Sequence, residues 1–163
     1  MIDGMAFRIS SPAFADSADI PVRYTCDGDN MSPQLSWSDV PEGTRSLALI
    51  VDDPDAPGGT FTHWVLFDIP ADGGGIGEKV GVGIGGIAGR NSFGRTGYGG
   101  PCPPPAHEAH RYRFTLYALD VPSLAVSANA TREEVERKIE THVLATARLV
   151  GRYKRQRVAA GKR

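Results

Sequence analysis

The chain has 163 residues, which sets one domain as the starting expectation and leaves enough surface to bury for a core that needs no staples. Hydrophobic residues are 40% and charged residues 23% of it, which excludes a disordered tail, a fibre or a coiled coil. Eighteen Lys and Arg against 19 Asp and Glu, net −1, exclude a global basic field for nucleic acid, and no apolar run approaches the roughly 18 residues that would suggest a membrane span.

Met1-Ile2-Asp3-Gly4-Met5 lacks the basic and apolar regions of a signal peptide, so a cytoplasmic protein is expected. Short strands are predicted around 7–10, 21–24 and 35–38. The run Leu47-Ala48-Leu49-Ile50-Val51, ended by acidic residues and Pro54, reads as a central strand covered on both faces, and 62–69, stopped by Pro70, is similar. Thirteen of the 20 glycines fall between Gly73 and Gly100, too many for a helix. Ile76, Val80, Val82, Ile84 and Ile87 recur there, so the stretch reads as a long loop folded onto the domain rather than a solvated linker. From 111 to 119 the residues alternate, with Tyr112, Phe114, Leu116 and Ala118 on one face. No crossover helices separate these strands. A mainly β, antiparallel sandwich is therefore expected.

One C-terminal helix is predicted. Thr131-Arg132-Glu133-Glu134 is a capping box, and Val135, Ile139, Val143 and Ala147 follow at spacings of four, with Leu144 and Val150 widening the stripe and Gly151 as the residue that ends it. His142 falls within that helix as a structural residue. The domain is read as 1–153. The last residues, 154–163, form a basic tail with Lys154, Arg155, Arg157, Lys162 and Arg163, read as solvated; an anionic partner such as a lipid headgroup is the second reading. Cys26 and Cys102 are too far apart for a CxxC motif and too few for a zinc site, and in a reducing compartment they read as free thiols.

Four features carry chemistry. Asp52-Asp53-Pro54-Asp55-Ala56-Pro57 crowds three carboxylates into a turn that its prolines make rigid. His63 opens a strand, and the pair His107 and His110 precedes another, where period two puts His110 and Tyr112 on one face. Tyr98-Gly99-Gly100-Pro101-Cys102-Pro103 sets backbone N–H groups beside a rigid wall, an arrangement that can cradle an anion. Asp53, Asp55, His63 and His110 fit either a two-His, two-carboxylate metal site or a polar pocket for a phosphate or phosphoester, and the residues leave both open.

Taken in order, these motifs resemble the phosphatidylethanolamine-binding protein family, in particular its prokaryotic Raf-kinase-inhibitor-like members. The resemblance runs from about 7 to 153. It rests on Ser11-Pro12-Ala13-Phe14, Tyr24-Thr25-Cys26-Asp27-Gly28, Ser32-Pro33-Gln34-Leu35-Ser36-Trp37, Asp53-Pro54-Asp55-Ala56-Pro57 with His63-Trp64, Gly100-Pro101-Cys102-Pro103-Pro104 and His110-Arg111-Tyr112. It implies two antiparallel sheets with peripheral helices and a small anion pocket at one end. Asp53, Asp55, His63, His110 and Tyr112 would line that pocket, Pro57, Cys102 and Pro103 would form its wall, and backbone N–H groups near Gly100 would assist. No metal or cofactor is expected. The implied partner is a phosphate-like anion, with a regulatory role toward a protein such as a kinase or protease, and a homodimer, left open. The sequence departs from the animal members in having Thr62 before His63 and Cys102 in the pocket loop. The reading favours a binding protein over an enzyme. The alternative is a phosphoester or ester hydrolase using Asp/His acid–base chemistry, with Cys102 as a conceivable nucleophile and His110 as its base.

Overall fold

The described residues of the computed structural model, 6–79 and 85–155, run through β1 (Arg8–Ser10), a 3₁₀ turn (Val22–Tyr24), β2 (Leu35–Ser38), β3 (Ser46–Asp53), β4 (Phe61–Pro70), β5 (Gly75–Ile76), β6 (Ile87–Ala88), β7 (His110–Leu119), α1 (Arg132–Ile139) and β8 (Val143–Tyr153). β1, β2 and β5 form a small antiparallel sheet. β6, β4, β3, β7 and β8, in that order, form a large one.

β3 is buried at every position, as its unbroken apolar run predicts for a strand with cover on both faces. Leu47, Leu49 and Val51 face the small sheet and pack with Ile9, Leu35, Trp37, Leu66 and Phe114 in the sandwich interior. Ala48 and Ile50 face the other way, where Val65, Phe67 and Leu119 meet Val135 and Ile139 of α1. Burying each such large apolar side chain stabilises the fold by about 1.5–3 kcal/mol. The glycine-rich stretch does fold onto the domain: it supplies β5 to the small sheet through Ile76 opposite Leu35, and β6 to the large one through Ile87 opposite Phe67. Val80, Val82, Ile84 and the tail residues Arg157, Lys162 and Arg163 lie outside the described residues.

Three expectations are corrected. Residues 22–24 form a 3₁₀ turn, not a strand, held by the Thr25 and Tyr24 N–H groups donating to Val22 and Pro21 carbonyls. The cysteines are not free thiols, since Cys26 and Cys102 form a disulfide across 76 residues of chain. The helix is also shorter than predicted. Its capping box forms, with the Glu134 N–H donating to Thr131 Oγ1 and Thr131 N–H to the Glu134 carboxylate, but it ends at Ile139. Residues 143–153 are β8, which pairs with β7 from Leu119 opposite Val143 to His110 opposite Tyr153.

A spacing of four is even, so Ala147 and Gly151 share a face in a strand as readily as in a helix, while a register shift between Ala118 and Leu119 takes Val143 off that face. Ala147, Leu149, Gly151 and Tyr153 point inward, whereas Val143 and Leu144, assigned to the helical stripe, are exposed. β8 covers what would otherwise be the open edge of β7. Its own outer edge takes 17–20: Ser17 and Ile20 N–H groups donate to Val150 and Arg152 carbonyls, and the Arg152 N–H donates to Ala18. His142 sits in the α1–β8 turn, its ring 2.9 Å from Asp120.

Gly151 is therefore a packing residue and not a helix stop. A Cβ there would come within 2.5 Å of Ile20 Cγ1 and 2.7 Å of the Phe14 ring. Gly151→Ala should cost about 1–3 kcal/mol through overpacking, read as a lower urea midpoint; an unchanged midpoint would contradict this account of β8.

Candidate functional site

At one end of the sandwich, the β3–β4 turn, the start of β7 and the 91–104 segment enclose a cavity of about 280 Å³. Asp53, Pro57, His63, Cys102, Pro103, His110 and Tyr112 line it, together with Ala56, Phe61, Phe93 and Pro104.

Period two at the end of β3 turns Asp53 into the cavity and Asp52 to the opposite face. Both are buried. Asp53 Oδ2 lies 2.6 Å from His110 Nδ1, and its Oδ1 accepts from the Asp55 N–H at 2.8 Å. The carboxylate thus fixes the hydrogen of His110 on Nδ1. The other nitrogen of His110 lies 3.0 Å from His107 Nδ1. His63, on β4, puts Nδ1 2.7 Å from the Gly99 carbonyl, which can only accept; Nδ1 carries the hydrogen, and Nε2 of the neutral ring is a lone pair. Burial holds the His63 imidazole below the ordinary histidine value, against the pull of the Gly99 carbonyl and the Asp53 charge.

Tyr112 is buried between these groups. Its ring centroid is 5.2 Å from that of His63, edge-on, and 6.4 Å from that of His110, stacked. Burial and the neighbouring Asp53 carboxylate push the phenol pKa well up, yet the hydroxyl makes no hydrogen bond of normal geometry among the described residues. A buried donor without a partner is unusual and marks a place where a ligand or water belongs.

Two predicted site residues are not brought to the cavity. Asp55 turns to Arg111, taking its backbone N–H at 2.9 Å, Nε at 3.0 Å and Nη2 at 2.7 Å. Gly100 packs against the 24–25 backbone, where a Cβ would fall 2.3 Å from the Tyr24 carbonyl oxygen, and its N–H donates to Asn30 Oδ1 at 2.8 Å. The Gly99 N–H donates to the His63 carbonyl. These amides are occupied by the fold and do not form an anion cradle. With Asp55 turned out to Arg111 and Asp53 bonded to His110, the two-His, two-carboxylate set does not gather as a metal-binding cluster among the described residues. Cys102 lines the wall, but its sulfur is bonded to Cys26 and offers no thiolate.

The sequence reading missed an aromatic side of the cavity. Phe61 and Phe93 meet edge-on at 4.7 Å, and both contact the His63 ring. Phe61 was within reach of the sequence, since period two places it on the face of His63. Phe93 was not. It is positioned by Asn91, whose buried side chain accepts from the Phe93 and Arg95 N–H groups and donates to the Gly97 carbonyl.

Arg111 holds the Asp55 carboxyl down to about 2. A folded-state pKa below the unfolded value contributes stability that is complete above about pH 4 and lost as pH falls through about 2. Asp55 and Arg111 side chains are 29% and 61% exposed, so solvent screens the pair and its contribution is small. Thermal melts of wild type and Asp55→Asn should differ most near neutrality and converge as pH drops from about 4 to about 2. A gap that widens in acid would contradict the assignment.

The model of the phosphatidylethanolamine-binding protein family matches residues 10–154. A UPF0098 protein of Aquifex aeolicus is 50% identical over 93% of this chain and 91% of its own length. LppC of Mycobacterium tuberculosis, named as a lipoprotein, is 46% identical over 89% of this chain and 71% of its own. The crystal structure of Escherichia coli YbcL, described as a member of the mammalian PEBP family, superposes with a TM-score of 0.86 at 33% identity, covering 92% of this chain and 99% of that one. A phosphatidylethanolamine-binding protein homologue from Chlamydia trachomatis gives the same TM-score at 38% identity, over 93% and 99%. With the two-sheet fold and these matches along nearly its whole length, the chain belongs to the phosphatidylethanolamine-binding protein family.

Proposed function

We propose that the cavity binds a small anion of the phosphate or phosphoester class, the phosphoethanolamine headgroup in the family's name being one example. The observation that carries this reading is the Tyr112 hydroxyl, a buried donor left unpartnered by the described residues in a cavity that also holds two imidazoles. An anion gives that donor an acceptor. It also offsets the cost of charging the buried His63, so binding takes up a proton. Phe61, Phe93 and the prolines exclude water around the anion and strengthen each of these bonds. The Asp53 carboxylate keeps His110 oriented.

The test is ³¹P NMR of O-phosphoethanolamine and of inorganic phosphate titrated with the protein. Broadening or a shift supports binding, and no spectral change at any pH overturns it. Growth of an inorganic phosphate peak from O-phosphoethanolamine would replace binding with hydrolysis. Affinity should rise as pH falls from about 8 to about 6, by up to about tenfold per pH unit for one proton taken up. Tyr112→Phe should change thermal stability little, because the hydroxyl makes no hydrogen bond of normal geometry in the free protein, while weakening the anion by about three- to thirtyfold. An affinity unaffected by this variant would show that the hydroxyl does not meet the ligand.

A further inference from the structure

Both ring nitrogens of His110 are engaged in the free protein, Nδ1 by Asp53 at 2.6 Å and Nε2 by His107 Nδ1 at 3.0 Å. The second contact is the less expected. Asp53 holds the hydrogen on Nδ1, so in a neutral ring the Nε2 of His110 is a lone pair and His107 must be the donor. If His110 carries the extra proton, Nε2–H donates and His107 accepts. Either way the bond survives only while one hydrogen lies between the two nitrogens. A second proton on the pair sets N–H against N–H and positive charge against positive charge, and the contact must open.

Resting on the anion reading above, we infer that His107 is a built-in competitor for the ligand: it holds the one nitrogen of His110 that an anion could reach, and it yields that nitrogen when the pair becomes doubly protonated. His107 is suited to leave. It is only partly buried, at the end of a proline-rich segment that continues the cavity wall from Pro103 and Pro104, and its N–H donates to the Pro104 carbonyl. His110 is the fixed member, buried at the start of β7. His107 thereby sets how tightly the cavity holds an anion near neutral pH and how steeply that affinity depends on acid.

Among the described residues, the charged and titratable groups around the pair are few. Asp53 faces His110 from β3, Tyr112 stacks beside it on β7, and His63 faces the same cavity from β4. Asp55 and Arg111 neutralise each other outside the cavity, and Glu108, next to His107, is ion-paired with Lys154 at 3.6 Å. None of these can replace the missing hydrogen-bond geometry once both facing nitrogens carry a proton. The flanking Cys102 is disulfide-bonded and does not titrate.

The experiment compares wild type with His107→Ala, each checked by thermal melt, using inorganic phosphate and O-phosphoethanolamine by ³¹P NMR. An anion can take only an Nε2–H, so it binds His110 in the protonated form; there the variant has no internal hydrogen bond to release, and near neutral pH it should bind about three- to tenfold more tightly. The two should converge to about twofold or less in acid once the wild-type contact has opened, so wild type shows the steeper pH dependence. Equal or weaker binding by the variant near neutral pH would overturn the inference and, if weaker, make His107 a ligand contact instead. Imidazole ¹⁵N spectra of the unliganded wild type provide a readout that needs no ligand. Loss of the His107–His110 bond signature on acidification supports the inference, and a bond retained throughout the acid range in which the protein stays folded overturns it. If neither protein binds either anion, the anion reading fails by itself, and the ¹⁵N result alone decides whether the pair opens with acid.

Discussion

Two adjacent carboxylates at the end of β3 constrain much of this molecule. Asp52 and Asp53 are both buried, and strand alternation sends them to opposite faces of the large sheet. A buried charge without partners is costly, and removing one partner of a buried pair typically costs about 3–5 kcal/mol. Each carboxylate therefore organises its own face. Asp52 takes Arg113 at 2.7 Å from β7 and Arg132 at 2.7 Å from the first turn of α1, which ties the helix to the sheet. Asp53 takes His110 and the Asp55 amide, which builds the cavity. One turn of sequence anchors the helix on one side and orients the candidate binding residues on the other.

The cavity is rigid because its polar members are held by the fold before any ligand arrives. His63 is tied to Gly99, His110 to Asp53, and the β3–β4 turn is fastened to β7 by the three bonds between Asp55 and Arg111. The disulfide fastens the opposite wall. Cys102 is joined to Cys26, Gly100 lies against Tyr24, and the Cys26 N–H donates to the Pro101 carbonyl. Such pre-orientation lowers the entropy lost when a small ligand binds. Against this fixed frame, the Tyr112 hydroxyl and the His107–His110 contact stand out, since the first has no partner of normal geometry among the described residues and the second joins two imidazoles through a single hydrogen.

The large strands were legible from residue pattern because their apolar residues run unbroken or alternate along the chain. β3 is an unbroken apolar run, and β7 alternates Tyr112, Phe114, Leu116 and Ala118 inward. The start of α1 was legible because a capping box is a local device, made by residues within one turn. Its end was not. The stripe Val135, Ile139, Val143, Ala147 steps only by four, a spacing common to both periods, and the exposed open edge of β7 decided in favour of a strand. Val22–Tyr24 failed for a related reason, since three residues are too few to separate a turn from a strand by pattern.

In the site, the residue types and their order along the chain were enough to identify the family, and it was the resemblance that implied His63, His110, Tyr112, Asp53, Pro57, Cys102 and Pro103 around one cavity, which they line. Phe61 could have been added from alternation alone. What the sequence by itself determined is what depends on neighbours along the chain: strand faces, the helix start, the rigid acidic turn. Only the tertiary structure decided what depends on distant partners. Arg111 turns Asp55 away from the cavity, and Asn30 and the His63 carbonyl take the Gly100 and Gly99 amides. Cys26 meets Cys102 across 76 residues, and His107 reaches the free nitrogen of His110. A hydrogen bond or a disulfide is settled by ångströms and angles in space, and residue spacing along a chain carries neither.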